Sequence, residues 1–304
     1  MSHEDQNWPR ASKWLSGGKN GNTTPLVAVL GVPLNTSITP GRCELAPAAI
    51  RAALERYSLY DADARFDLAM IKARDCGDVQ LVGQSAEGNF FRCVESIRRA
   101  RLDHGCTVLL GGDNSLTRPG VHAMGLPLEQ AGLLTFDAHH DLRGLEHGLT
   151  NGNPVSALLR DGLPGRNVVQ IGIQPFANSA AYARVAREEG VTVVTAEEVY
   201  RHGIDSILSQ ALAHLSESAQ GIYVDLDLDV LDRAFAPACP GSRPGGLQPW
   251  MLRQAARLCG EHQLVRTLDL VEVDPTRDIA DVTTLAAASF LLAFASGVAL
   301  RYAR

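Results

Sequence analysis

Leu133-Leu134-Thr135-Phe136-Asp137-Ala138-His139-His140-Asp141-Leu142-Arg143 runs from an apolar tract straight into Asp137, His139, His140 and Asp141. Ionisable groups are seldom buried unless they are paired or hold a cation, so this strand end reads as the lip of a metal site. In an extended chain, residues two apart face the same way, which puts Asp137 and His139 roughly 7 Å apart at Cα. Continued extension would carry Asp141 about 13 Å from Asp137, too far to share one ion, so the chain is expected to bend just after His139.

A second tract repeats the pattern. Ile222-Tyr223-Val224-Asp225-Leu226-Asp227-Leu228-Asp229 again passes from apolar to acidic residues at a spacing of two. Three carboxylates on one strand face repel strongly in a low-dielectric interior, and a divalent cation is the usual remedy. Two such ends predict one binuclear site; the competing reading is two unrelated, solvated strand ends.

Outward from these tracts, apolar strand-like runs at residues 26–31, 107–110, 168–173, 191–194 and 265–273 alternate with helical patterns at 85–103, 155–159, 179–188, near 211, at 248–259 and at 284–294. Such alternation predicts a parallel sheet covered on both faces, an α/β fold of three layers. Ligands of such sheets collect outside the carboxyl ends of the strands. Gly111-Gly112-Asp113-Asn114-Ser115 follows one of these ends. Its paired glycines permit close backbone approach, and without a following Lys the loop reads as part of a metal site and not as a phosphate cradle. Residues 1–24 read as a flexible arm that Trp8 and Trp14 could dock, and residues 25–304 as a single domain. The helix at 284–294 is too short to span a bilayer.

Composition narrows the function. The 304 residues are 45% hydrophobic and 20% charged, with a formal net charge of −6. That balance, without a basic block, argues against nucleic acid or a membrane as partner and for a small-molecule enzyme. Six cysteines without C-x-x-C spacing predict reduced thiols and a cytoplasmic setting. Cys239, near the second acidic tract, reads as a packed residue before it reads as a nucleophile.

Taken together, Gly-Gly-Asp-Asn-Ser at 111–115, Asp-Ala-His-x-Asp at 137–141, Asp-x-Asp at 227–229 with a Pro/Gly-rich tail, and Val-Glu-Val-Asp-Pro at 271–275 resemble the ureohydrolase superfamily of arginase, agmatinase and formimidoylglutamase. Asp141-Leu142-Arg143 followed by Asn151-Gly152-Asn153-Pro154, and Asp229-Val230-Leu231-Asp232 with Ala236-Pro237-Ala238-Cys239-Pro240, look most like formimidoylglutamase. The resemblance implies an arginase-like three-layer α/β/α fold with a mostly parallel sheet of about eight strands. It also implies two Mn²⁺ ions per subunit and a homo-oligomer, trimer or hexamer.

Carried over by position, the resemblance makes Asp137 and Asp227 bridging ligands. Asp141 serves the first ion, and His139 with Asp229 the second. Asn114 stands where a histidine ligand is expected. Its carbonyl oxygen is a weaker donor to a transition metal, which would weaken the first site. Asp225, where serine is common, could offset this with charge. The expected reaction is hydrolysis of N-formimidoyl-L-glutamate to L-glutamate and formamide by a hydroxide bridging the two ions, with Asp141 passing a proton to the leaving amine and Glu272 pairing with the amidinium. Arg143 is expected to take a substrate carboxylate, with a structural ion pair as its alternative. Asn151 and Asn153 are expected to add polar contacts, and turn formation explains them equally. Two further readings stay open: a guanidino hydrolase, agmatinase-like or guanidinobutyrase-like, and a catalytically silent ligand-binding relative.

Overall fold

The computed structural model describes residues 5, 7–15 and 26–303. Its strands are β1 (Val27–Val32), β2 (Tyr60–Asp61), β3 (Phe66–Asp67), β4 (Ala73–Asp78), β5 (Cys106–Gly111), β6 (Ala131–Phe136), β7 (Val168–Ile173), β8 (Thr192–Thr195), β9 (Gly221–Asp227) and β10 (Val265–Val271). Its helices are α1 (Ala11–Leu15), α2 (Ala46–Ala53), α3 (Ala86–Ala100), α4 (Thr117–Ala123), α5 (Pro154–Asp161), α6 (Ala180–Glu189), α7 (Ala196–His202), α8 (Ile204–Ser216), α9 (Pro249–Glu261) and α10 (Val282–Ala303). Eight strands form one parallel sheet in the order β4-β1-β5-β10-β9-β6-β7-β8, while β2 and β3 pair as a small separate hairpin. The three-layer architecture expected from the alternation is the one observed.

Alternation along each buried strand splits the core in two. Val27, Val29, Val108, Leu134 and Phe136 pack toward α1, α2 and α7 to α10. Leu30, Val32, Leu109, Leu133 and Tyr223 pack toward α3 to α6. Because both faces are covered, the central strands are continuous apolar runs until their carboxyl ends, where the polar residues begin.

One expectation is corrected. The closing helix is α10, with 22 residues, long and apolar enough to cross a membrane; 83% of its apolar window is buried inside the fold. A helix apolar on all sides is a core helix when other elements surround it, and Gly260 and Gly297 let the α9 and α10 backbones touch, since a Cβ on either would overlap the other helix. The docking foreseen for Trp14 is present: Ala11, Trp14 and Leu15 of α1 are buried, and Trp14 Nε1 donates to the Ile71 carbonyl at 2.8 Å. The rest of residues 1–24, apart from residues 5 and 7–10, lies outside the described residues.

Candidate active site

Four neighbouring strands, β5, β10, β9 and β6, end at one crevice. After β5 comes Asn114, after β10 Glu272, at the end of β9 Asp227 and Asp229, and after β6 the run from Asp137 to Asp141. At each end an Asp side chain accepts the backbone N–H two residues on: Asp113 from Ser115 at 3.1 Å, Asp137 from His139 at 2.6 Å, Asp227 from Asp229 at 2.9 Å, and Asp274 from Thr276 at 3.0 Å. Such side-chain turns stop the strand and fold residue i+2 back beside residue i. The spacing of two was read as one strand face; β6 in fact ends at Phe136 and β9 at Asp227, and the turn brings the pairs together.

The bend expected after His139 is present, with Asp141 in the left-handed region at φ 53°. Glu272 is there too, at φ 65°. Non-glycine residues hold that conformation only where surrounding contacts enforce it, and such strain collects at functional sites. Asn114 N–H donates to Glu272 Oε1 at 2.9 Å, and the Glu272 N–H donates to the Gly112 carbonyl at 3.0 Å, so the two loops brace each other. Gly112 itself lies against the Leu34 carbonyl, where a Cβ would overlap.

Ligand atoms of Asp137, His139 and Asp229 lie within 4.8 Å of one another. His139 Nδ1 is 2.9 Å from Asp229 Oδ2 and 3.4 Å from Asp137 Oδ1. Asp141 Oδ2 accepts from Asn114 Nδ2 at 2.6 Å, and Asp137 Oδ2 from the same nitrogen at 3.4 Å. Burial, followed by the Asp137 charge, pushes Asp141 well above the ordinary carboxylate range, and burial with the Asp229 charge does the same to Asp227. Burial and then Asp229 raise Asp137 to about 6. Asp229 goes the other way: burial would raise it, but the charge and hydrogen bond of His139 lower it. Two influences compete on His139. The Asp229 charge pushes it up to about 11, whereas Arg243 Nη1, a pure donor, lies 2.8 Å from Nε2 and needs that nitrogen unprotonated. In either case Nδ1 stays turned to Asp229 Oδ2 at 2.9 Å. Hard carboxylate oxygens and one imidazole, crowded and buried, are a donor set that fits a pair of divalent cations such as Mn²⁺.

Asn114 turns its amide nitrogen toward the carboxylates, while its Oδ1 accepts from Thr117 Oγ1 at 2.7 Å. Asp225 is buried in register with Asp269, and its Oδ1 finds no hydrogen-bond partner among the described residues. Burial and the Asp269 charge push Asp225 well up, which works against the compensating charge expected of it.

Above these groups opens a crevice of about 420 Å³, lined by Ile38, Arg143, Asn151, Tyr182, Arg243 and Glu272 among others. Arg143 is exposed at its mouth and makes no ion pair among the described residues. Asn151 donates to Glu272 Oε1 at 3.0 Å and accepts from the Ile38 N–H at 2.9 Å; it positions Glu272 and the loop over the crevice. Asn153 is the clear correction. Its amide donates to the Gly144 and Gly148 carbonyls at 3.1 and 3.0 Å and accepts from Thr150 N–H at 2.9 Å, so it closes its own loop and faces no substrate. His140 turns aside to Gln170 Oε1 at 2.7 Å, and burial pushes the Cys239 thiol well up, leaving it a packed residue. Arg243 was missed: it sits in the Pro/Gly-rich loop after the second acidic tract, and nothing in that loop's composition tells which side chain turns back over the site.

Burial, then Asp113, raises Glu272 to about 8, against hydrogen bonds from Asn114 and Asn151 that favour its charge. Carboxyl groups line the floor of the crevice, and its rim carries two arginines.

Comparison with known proteins agrees with this geometry. A formimidoylglutamase of Halalkalibacterium halodurans is 38% identical over 278 residues, covering 90% of this chain and 87% of the relative. The crystal structure of formimidoylglutamase from Bacillus subtilis superposes with a TM-score of 0.91 at 31% identity, over 99% of this chain and 95% of that one. Trypanosoma cruzi formiminoglutamase with Mn²⁺ shares the fold at a TM-score of 0.86 and 21% identity, over 97% of this chain and 99% of that one. The model of the arginase family matches residues 26–296, a span that includes all four strand ends of the crevice, and the chain belongs to that family.

Proposed function

We propose that this chain hydrolyses the C–N bond of N-formimidoyl-L-glutamate, giving L-glutamate and formamide, with two Mn²⁺ ions held by Asp137, His139, Asp141, Asp227 and Asp229 and with Asn114 beside the first. The observation that carries the reading is the polarity of the crevice: Glu272 and the aspartates below, Arg143 and Arg243 at the rim. A cationic amidine with a tail of two carboxylates matches that polarity end to end. A basic guanidino tail meets two like charges.

Bound Mn²⁺ ions would supply Lewis acidity and a water that ionises near neutral pH. The chain does the rest. Glu272, fixed through Oε1 by Asn114 and Asn151, offers Oε2 to the amidinium by a charge-assisted hydrogen bond. Arg143 and Arg243 hold the tail carboxylates by their planar forks. As the C–N bond breaks, Asp141 delivers a proton to the departing glutamate nitrogen, from the oxygen that Asn114 does not engage. A reduced, cytoplasmic setting, supported by six unpaired cysteines, and a trimeric or hexameric assembly belong to the same proposal.

The test is the Mn²⁺-loaded protein offered formimidoylglutamate, arginine, agmatine and guanidinobutyrate, with formamide and urea both measured. Formamide from the first alone is the expected result. Urea from a guanidino compound would keep the fold and overturn the substrate; no product from any would favour the silent ligand-binding reading. Arg243→Ala is expected to raise KM for formimidoylglutamate by roughly tenfold to a hundredfold, the worth of one charge-assisted contact, with a smaller change in kcat. Steady-state kinetics check this, and an unchanged KM would take Arg243 out of substrate binding.

A further inference from the structure

The hydroxyl of Thr117 has two acceptors and one proton. Thr117, at the start of α4, is fully buried, and Asn114 is 1% exposed. Thr117 Oγ1 lies 2.7 Å from Asn114 Oδ1 on one side and 3.4 Å from Asp269 Oδ2 on the other. Asp269 is itself immobilised, since Tyr223 OH donates to Oδ2 at 2.6 Å and the Leu226 N–H to Oδ1 at 3.2 Å.

In the observed arrangement Asn114 directs both N–H hydrogens at Asp141 and Asp137. A cation among those carboxylates would face hydrogens that carry partial positive charge, and only the oxygen end of an amide is a cation donor. The two ends of an amide have nearly the same shape, so turning it over needs no new volume even in a close-packed site. What it needs is an acceptor for the N–H on the far side. Thr117 Oγ1 can accept there if its own proton turns to Asp269.

We propose that Thr117 is a positioning residue for the first ion: by switching its proton between Asn114 Oδ1 and Asp269 Oδ2, it lets Asn114 present an amide nitrogen to bare carboxylates or a carbonyl oxygen to a cation. Both orientations then keep the Asn114 amide hydrogen-bonded on its Thr117 side, which a buried polar group requires. An asparagine can thus stand at a metal-facing position because a rotatable hydroxyl lies behind it. Valine there would favour the nitrogen-inward state, where the N–H groups keep their carboxylates, and would disfavour the oxygen-inward state, where they would lose their acceptor.

The inference rests on the two-Mn²⁺ reading, and calorimetric titration of the full chain with Mn²⁺ separates the two. Wild type binding fewer than two ions would overturn that reading and this inference with it. With two ions bound, Thr117→Val is expected to weaken one of them by roughly tenfold, while Thr117→Ser, which keeps the hydroxyl, stays within about twofold of wild type. Thr117→Ala serves the same purpose should the valine variant not fold. In an Asn114→Ala background, Thr117→Val should have no further effect, because no amide remains to be turned. Equal affinity in Thr117→Val and wild type would overturn the proposal, as would an equal loss in the Asn114→Ala background, the mark of a merely structural threonine.

Discussion

Asp141→Asn is expected to lower kcat on formimidoylglutamate by roughly two to four orders of magnitude, the range of a positioned acid or base. Asn keeps the shape of Asp and an oxygen for a cation, but its amide cannot carry a proton to the leaving nitrogen. Asp141 sits at φ 53°, a conformation Asn tolerates better than most residues, so the fold should survive. The loss is expected to persist at Mn²⁺ concentrations that fill both sites, which separates proton delivery from metal retention. Stopped-time formamide assays across a Mn²⁺ series check this; recovery to within a few-fold of wild type at high Mn²⁺ would reduce Asp141 to a ligand.

The second large effect concerns pH. Glu272 is raised from 4.5 to about 8 and Asp137 from 3.8 to about 6, with Asp141 and Asp227 pushed well above the carboxylate range, burial being the first cause in each. A carboxyl whose folded pKa lies above its unfolded value contributes stability that is complete below the unfolded pKa and is lost as pH rises through the folded one. Chelator-treated protein should therefore lose thermal stability between about pH 4 and pH 8. Asp229, lowered by His139, has the opposite sign, but its window lies below the ordinary carboxylate pKa. A divalent cation favours the ionised carboxylates, so Mn²⁺ should restore more stability at pH 8 than at pH 5. At a concentration a thousand times Kd, one site contributes about 4 kcal/mol, on the order of ten degrees in Tm for a chain of this size. Thermal melts at both pH values, with chelator and with Mn²⁺, measure the difference. A metal-free Tm that stays flat or rises from pH 5 to pH 8 would contradict the assignment of this acidic floor.

Much of this molecule was legible before any coordinates. Alternating apolar runs and amphipathic stretches dictate a covered parallel sheet, because a strand buried on both faces must be apolar throughout and an outer helix on one side only. The acidic ends of β6 and β9 point to a cation site, since carboxylates crowded into a low-dielectric interior stay ionised only beside compensating positive charge. Those are local properties of the chain, and sequence determines them.

Only the tertiary structure decided which strand ends meet. The order β5-β10-β9-β6 sets Asn114, Glu272, Asp227 and Asp137 side by side although β9 and β10 come late in the chain, and no local pattern encodes that insertion. Side-chain direction was equally hidden. Asn151 and Asn153 sit two residues apart in one loop, yet one braces Glu272 and the other closes its own turn. Arg243 and Thr117 make contacts with residues more than a hundred positions away. Spacing along a chain specifies which way a side chain points only within one regular element; across loops and between strands, long-range packing sets the direction.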